Sequence, residues 1–123
     1  MRAPTIDQII LYTKRIDQMV EFYCHHFGFA PLRRENDRLI ELNHSQHDFK
    51  LLLHPMGQGR KEGQVLMKIL FDVEDVQPFC EKAKETGLEF GPIHQADGYQ
   101  FANAKDPSGN SISISSRAFR KSI

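Results

Sequence analysis

An α+β fold made of two βαβββ modules in tandem is predicted by three features of this 123-residue chain. One pattern occurs twice, about sixty residues apart: an apolar run, an amphipathic helical segment, then glycine and proline. The first copy comprises 6–12, then Ile16, Met19, Val20, Tyr23 and Phe27, then Gly28-Phe29-Ala30-Pro31. The second comprises 65–73, then Val76, Phe79, Cys80 and Ala83, then Gly87-Leu88-Glu89-Phe90-Gly91-Pro92. Short apolar segments divided by turn-forming residues follow each copy, and a glycine-rich stretch separates the two. Two copies of one unit usually face each other, so the groove between them is the expected place for function.

The run 6–12 reads as the first strand. Ile16, Met19, Val20, Tyr23 and Phe27 fall at i, i+3, i+4, i+7 and i+11, the spacing of one helix face, and Gly28 is the natural stop. Segments 32–34, 38–42 and 49–54 read as three strands, parted by 35–37 and 43–48. The stretch 55–63 holds three glycines and a proline and reads as a flexible connection. In the second copy, 65–73 reads as a strand and 76–85 as a helix, with Pro78 tolerated in its first turn and Gly87 ending it. Segments 90–94, 99–104 and 111–115 complete the module, the last two joined by the turn signature Asp106-Pro107-Ser108-Gly109-Asn110.

A chain of this length buries about two-thirds of its unfolded surface and forms one domain. Its 16 basic residues balance 16 acidic ones, so no overall field recruits nucleic acid or a membrane surface. Arg117, Arg120 and Lys121, with Phe119 among them, read as a solvated end. No apolar run reaches the roughly 18 to 20 residues of a membrane helix, and no apolar signal core opens the sequence, so a cytoplasmic location is expected. Two cysteines suggest no disulfide framework; Cys80 lies on its helix's apolar stripe and reads as a small core residue, whereas Cys24 lies off its stripe.

Phe22-Tyr23 before Phe27-Gly28-Phe29, the run from Phe71 to Val76, and the 106–110 turn leading into Ser111-Ile112-Ser113-Ile114 together resemble the vicinal oxygen chelate superfamily. That superfamily includes glyoxalases, extradiol dioxygenases, fosfomycin-resistance thiol transferases and bleomycin-binding proteins. The resemblance implies a single domain over 1–123, with modules 4–54 and 64–116 forming a curved mixed sheet around a central groove, helices on the convex side. It also implies a homodimer. In metal-using members four side chains on the concave face hold a divalent ion, and the resemblance places those positions at Gln8, Leu52, Lys68 and Ser113. Strand alternation agrees, since Ile9, Leu11, Leu51, Leu53, Ile69, Phe71, Ile112 and Ile114 would then point to the helices.

Divalent metals take imidazole or carboxylate; leucine donates nothing and an ammonium repels the ion. The same alternation gathers Gln8, Ile10, Tyr12, Glu41, Lys50, Leu52, His54, Leu66, Lys68, Leu70, Ser111, Ser113 and Ser115 on the inward face. The leading reading is therefore a binder of a neutral or anionic small molecule, without metal or other cofactor, with Gln8, Tyr12, Glu41, Lys50, His54, Lys68 and Ser113 as candidate ligand-binding residues. Lysines and a histidine against one glutamate disfavour cationic drugs of the bleomycin type. An alternative stays open: a lyase or dioxygenase using zinc, nickel, manganese or iron on a shifted set, Gln8, Glu41 and His54. Lys50 or Lys68 acting as a base is a further enzymatic possibility, and no catalytic residue is assigned. A groove filled by the chain's own side chains or by another protein is the third reading. His25-His26 and His44 with His47 read as solvated histidines, and His94 as a groove-edge or loop residue.

Overall fold

The computed structural model describes residues 4 and 6–121. The chain divides into two compact units, Met1–Glu62 and Gly63–Ile123. The first holds β1 (Gln8–Thr13), α1 (Ile16–Phe27), β2 (Phe29–Arg33), β3 (Ile40–His44) and β4 (His47–Pro55). The second holds β5 (Lys68–Asp72), α2 (Val76–Glu85), β6 (His94–Gln95), β7 (Gln100–Lys105), β8 (Ser111–Ser115) and a 3₁₀ turn, Arg117–Phe119. Each unit has one four-stranded mixed sheet, ordered β1-β4-β3-β2 and β5-β8-β7-β6. In each, the strand before the helix pairs in parallel with the last strand, and the remaining pairings are antiparallel. The sequence repeat is thus a repeat of topology, and the predicted α+β fold of two βαβββ modules is the one observed.

In the first module Leu11, Ile40, Leu42, Leu51 and Leu53 are buried together with Met19, Tyr23 and Phe27 of α1. Each such side chain contributes about 1.5–3 kcal/mol by leaving water, which fixes the face each strand turns to the helix. At the start of α1, Thr13 Oγ1 accepts the Arg15 N–H at 2.9 Å, while the Glu62 carboxylate accepts the Lys14 N–H and lies 3.3 Å from Arg15 Nε. At its end Gly28 takes φ +74°, the left-handed conformation that lets its N–H turn back to the Tyr23 carbonyl.

His44 contributes to that same helix end, contrary to its expected place as a solvated turn residue. The turn is only Ser45-Gln46, so His44 and His47 are cross-strand partners with rings stacked at 4.2 Å. The Phe27 carbonyl can only accept, so His44 Nε2, 2.8 Å away, carries the proton; its Nδ1 accepts the Gln46 N–H at 3.0 Å. His44 is half-buried and caps a carbonyl left open by the helix terminus. His26 is also half-buried, and desolvation, then the neighbouring His25, pushes its pKa below the usual value.

In the second module α2 ends in a Schellman turn: Leu88 N–H reaches the Ala83 carbonyl at 2.9 Å and Gly87 N–H the Lys84 carbonyl at 3.2 Å, with Gly87 at φ +95°. Two expected strands are shorter than their apolar runs. Residues 65–67 lie outside β5 because the ladder begins at Lys68 opposite Ser111, where β8 leaves its turn; Leu66, expected on the inward face, is fully exposed before the strand. Of 90–94 only His94 pairs as a strand residue, since Pro92 has no N–H to donate and Phe90 is buried as a loop anchor edge-on to Phe79.

The turn between β7 and β8 is organised by buried Asp106. Its Oδ1 accepts the N–H groups of Ser108 and Asn110, both at 2.9 Å, and Oδ2 accepts Asn110 Nδ2 at 2.8 Å. Asp106→Ala strands those donors and is expected to cost about 2–4 kcal/mol, read as a lower urea midpoint, with Asp106→Asn recovering part of the loss.

Candidate functional site

In each module one sheet face is packed on the helix and the other carries the polar residues. On β1 the contrast between neighbours shows this directly: Leu11 is 5% exposed, whereas Ile10 and Tyr12 are 43% and 52% exposed. The open face of the first sheet is arranged in three cross-strand rows. Gln8 lies opposite Lys50; Ile10 lies opposite Leu52, which in turn faces Glu41 and then Leu32; Tyr12 lies opposite His54. The rings of Tyr12 and His54 are 4.9 Å apart. His54 Nδ1 donates to the Pro55 carbonyl at 2.7 Å, and Glu41 Oε2 accepts from Asn43 Nδ2 at 3.1 Å.

Five of the seven candidate residues, Gln8, Tyr12, Glu41, Lys50 and His54, thus share one face. Gln8 with Lys50 and Tyr12 with His54 are brought side by side. Gln8, Glu41 and His54 stand in three different rows, and the outer rows are about 13 Å apart at a strand rise of about 3.3 Å per residue. Among the described residues no group of three or more His, Cys, Asp or Glu side chains converges in a metal-binding arrangement.

Lys68 and Ser113, the other two candidates, belong to the open face of the second sheet. Lys68 Nζ donates to Asn103 Oδ1 at 3.0 Å and lies 5.6 Å from the centre of the Phe101 ring. Ser113 is 1% exposed and its Oγ donates to the Ala102 carbonyl at 3.0 Å, so the hydroxyl proton is already committed. At the four positions to which the resemblance assigns metal ligands, this chain therefore offers an amide, an alkyl group, a paired ammonium and a buried hydroxyl. These groups do not fit a divalent cation.

The strand expected at 99–104 is β7, and its pairing assigns its faces. Phe101 and Asn103 alternate with fully buried Ala102, and so join Lys68 on the open side. His94 on β6 pairs with Phe101, the rings 5.0 Å apart. The small residues Ala102 and Ala104 between larger polar or aromatic ones were the signal that could have found this face.

A family model described as Glyoxalase/Bleomycin resistance protein/Dioxygenase superfamily matches residues 5–114. No curated protein matches the chain. Among solved structures, TnmS3, an antibiotic binding protein from Streptomyces sp. CB03234, is 19% identical over 93% of this chain and 96% of its own, with a TM-score of 0.75. A superfamily member from Sphaerobacter thermophilus is 18% identical over 92% of this chain and 97% of its own, with a TM-score of 0.73. A possible glyoxalase from Bacillus cereus is 18% identical over 91% of this chain and 98% of its own, with a TM-score of 0.72. At such identities the likeness is one of fold.

Neither cysteine has the surroundings of a nucleophile. Cys80, expected in the core, is half-buried beside a depression of about 450 Å³ that also involves Glu81, Lys84, Phe90 and Pro92. Desolvation raises the thiol pKa of Cys24; desolvation and then the charge of Glu81 raise that of Cys80. Thiolate is the reactive form, so both should be alkylated by iodoacetamide at pH 7 more slowly than a free cysteine peptide, with the rate still climbing above the usual thiol range. Intact-mass time courses check this.

Proposed function

Because the chain belongs to the glyoxalase/bleomycin resistance protein/dioxygenase superfamily, we propose that it is a metal-independent binder of a neutral or anionic small molecule, held on the open sheet faces. The observation that carries this reading is the donor set at Gln8, Leu52, Lys68 and Ser113, which lacks the imidazoles and carboxylates a divalent ion needs. Gln8, Tyr12, Glu41, Lys50 and His54 act as ligand contacts on the first face and Lys68 on the second, while Ser113, buried and bonded to the Ala102 carbonyl, lies beneath that surface rather than in contact. Ile10, Leu52 and Leu70 supply apolar surface, and the amide, phenol and imidazole supply orientation. On the first face Lys50 stands with Glu41 and Asp48, whereas on the second Lys68 and Lys105 stand with Asp72 alone, an excess of positive charge that disfavours a cationic ligand there. An antibiotic binding protein of the same fold supports a role in sequestration rather than turnover. As in relatives generally, the working form is taken to be a cytoplasmic homodimer.

The test uses untagged protein stripped with EDTA and a thermal-shift panel of neutral, anionic and cationic metabolites and antibiotics. Neutral or anionic compounds should stabilise the stripped protein, by about 2.7 kcal/mol at a hundredfold excess over Kd, and Tyr12→Ala should weaken that effect. Stabilisation or turnover that appears only with Zn²⁺, Ni²⁺, Mn²⁺ or Fe²⁺, and disappears in Glu41→Ala or His54→Ala, would overturn the proposal.

A further inference from the structure

The 117–121 segment is more ordered in its contacts than a solvated end requires. Ser116 N–H donates to the Gln100 carbonyl at 3.0 Å, and Gln100 N–H returns to Ser116 Oγ at 3.0 Å. Arg117 N–H donates to Ser115 Oγ at 3.1 Å. These bonds pin the 3₁₀ turn to the start of β7. Both arginine side chains are exposed, yet both are directed to one ring: the Arg117 and Arg120 Cζ atoms lie 5.8 and 5.6 Å from the centre of Tyr99. Arg120 Nη1 also donates to the Asp97 carbonyl at 3.3 Å. Among the described residues neither guanidinium is paired with a carboxylate.

Tyr99 begins a line of aromatic rings. Its centre is 6.3 Å from Phe101, whose own centre is 5.0 Å from His94, with interplanar angles of 37° and 31°. Lys68 stands over Phe101. Three cations therefore converge on two half-exposed rings. Cation–π attraction offsets part of their mutual repulsion, and a bound oxyanion would offset far more by accepting the forked guanidinium donors. A flat conjugated body attached to that anion would lie against Tyr99 and Phe101.

We infer that the Tyr99–Phe101 ring line, with Arg117 and Arg120 at its end, recognises a flat aromatic acid, the carboxylate or equivalent oxyanion seated on the two guanidinium groups. This rests on the metal-free binding reading above and names the ligand class for the second module's face. The arginines set specificity for charge; the rings provide the stacking surface.

The experiment is an amide NMR titration of the full chain in EDTA with 2-naphthoate, and in parallel with 2-naphthalenemethanol, its uncharged counterpart. Naphthoate should bind roughly tenfold more tightly than the alcohol, the scale of one charge-assisted hydrogen bond, with the largest shifts at Tyr99, Phe101 and Arg117. In Arg117→Gln/Arg120→Gln that preference should vanish, leaving both probes at the alcohol's affinity. The replaced side chains are exposed, so the rest of the spectrum should stay that of the wild type. Equal affinity of the two probes, no naphthoate binding at millimolar concentration, or a preference that survives the double variant would overturn the inference. The last result would leave metal-free binding standing. Binding of either probe only after Zn²⁺ is added would overturn both readings.

Discussion

The two-residue period of the strands, locked by helix packing, is the constraint from which the rest of this molecule follows. Leu11, Leu51 and Leu53 under α1, with Ile112 and Ile114 in the second sheet, are almost completely withdrawn from water. A slip of one residue in either parallel pairing would expose those side chains and bury Gln8, Lys50 or Lys68 in their place. The apolar face thereby dictates the polar one: Tyr12 is at the surface because Leu11 and Thr13 are in the core.

Both modules solve the same problem at their helix ends with different chemistry. α1 stops at Gly28 with the imidazole of His44 on its last carbonyl, while α2 uses the Schellman turn at Gly87, with the Thr86 hydroxyl also donating to the Ala83 carbonyl at 3.0 Å. The β7–β8 connection is held by a single carboxylate that satisfies three donors. These devices lie on the helix side or at strand ends. The open faces consequently carry few structural obligations, which leaves Gln8, Lys50, Tyr12 and Phe101 free to vary in chemistry while the scaffold persists.

Much of this was legible in local sequence, and the remainder depended on distant partners. The α1 stripe and Gly28 marked the helix from 16 to 27, and the serine–isoleucine alternation marked β8 to the residue. The first module's open face was likewise readable, because Ile10, Glu41, Lys50 and Leu52 each sit between two apolar residues. What failed was pairing. Val65, Leu66 and Met67 have strand-like composition, but β8 offers them no partner beyond Ser111. His44 looked like a turn residue because its carbonyl partner is 17 residues earlier in the chain. Arg117 and Arg120 looked like a tail because only the fold brings Tyr99 beneath them.

The proposed function follows from what that alternation leaves outward: surfaces to stack, hydrogen-bond and attract an anion, with no cluster of three or more His, Cys, Asp or Glu side chains among the described residues. Its most direct test is methyl NMR during titration with paramagnetic Mn²⁺, comparing Leu52 with Leu51 and Leu53 on the same strand. The account predicts that at one equivalent of Mn²⁺ all three leucines keep their intensity alike. Selective loss of the Leu52 methyl signals while those of Leu51 and Leu53 survive would place a cation on the open face and contradict it.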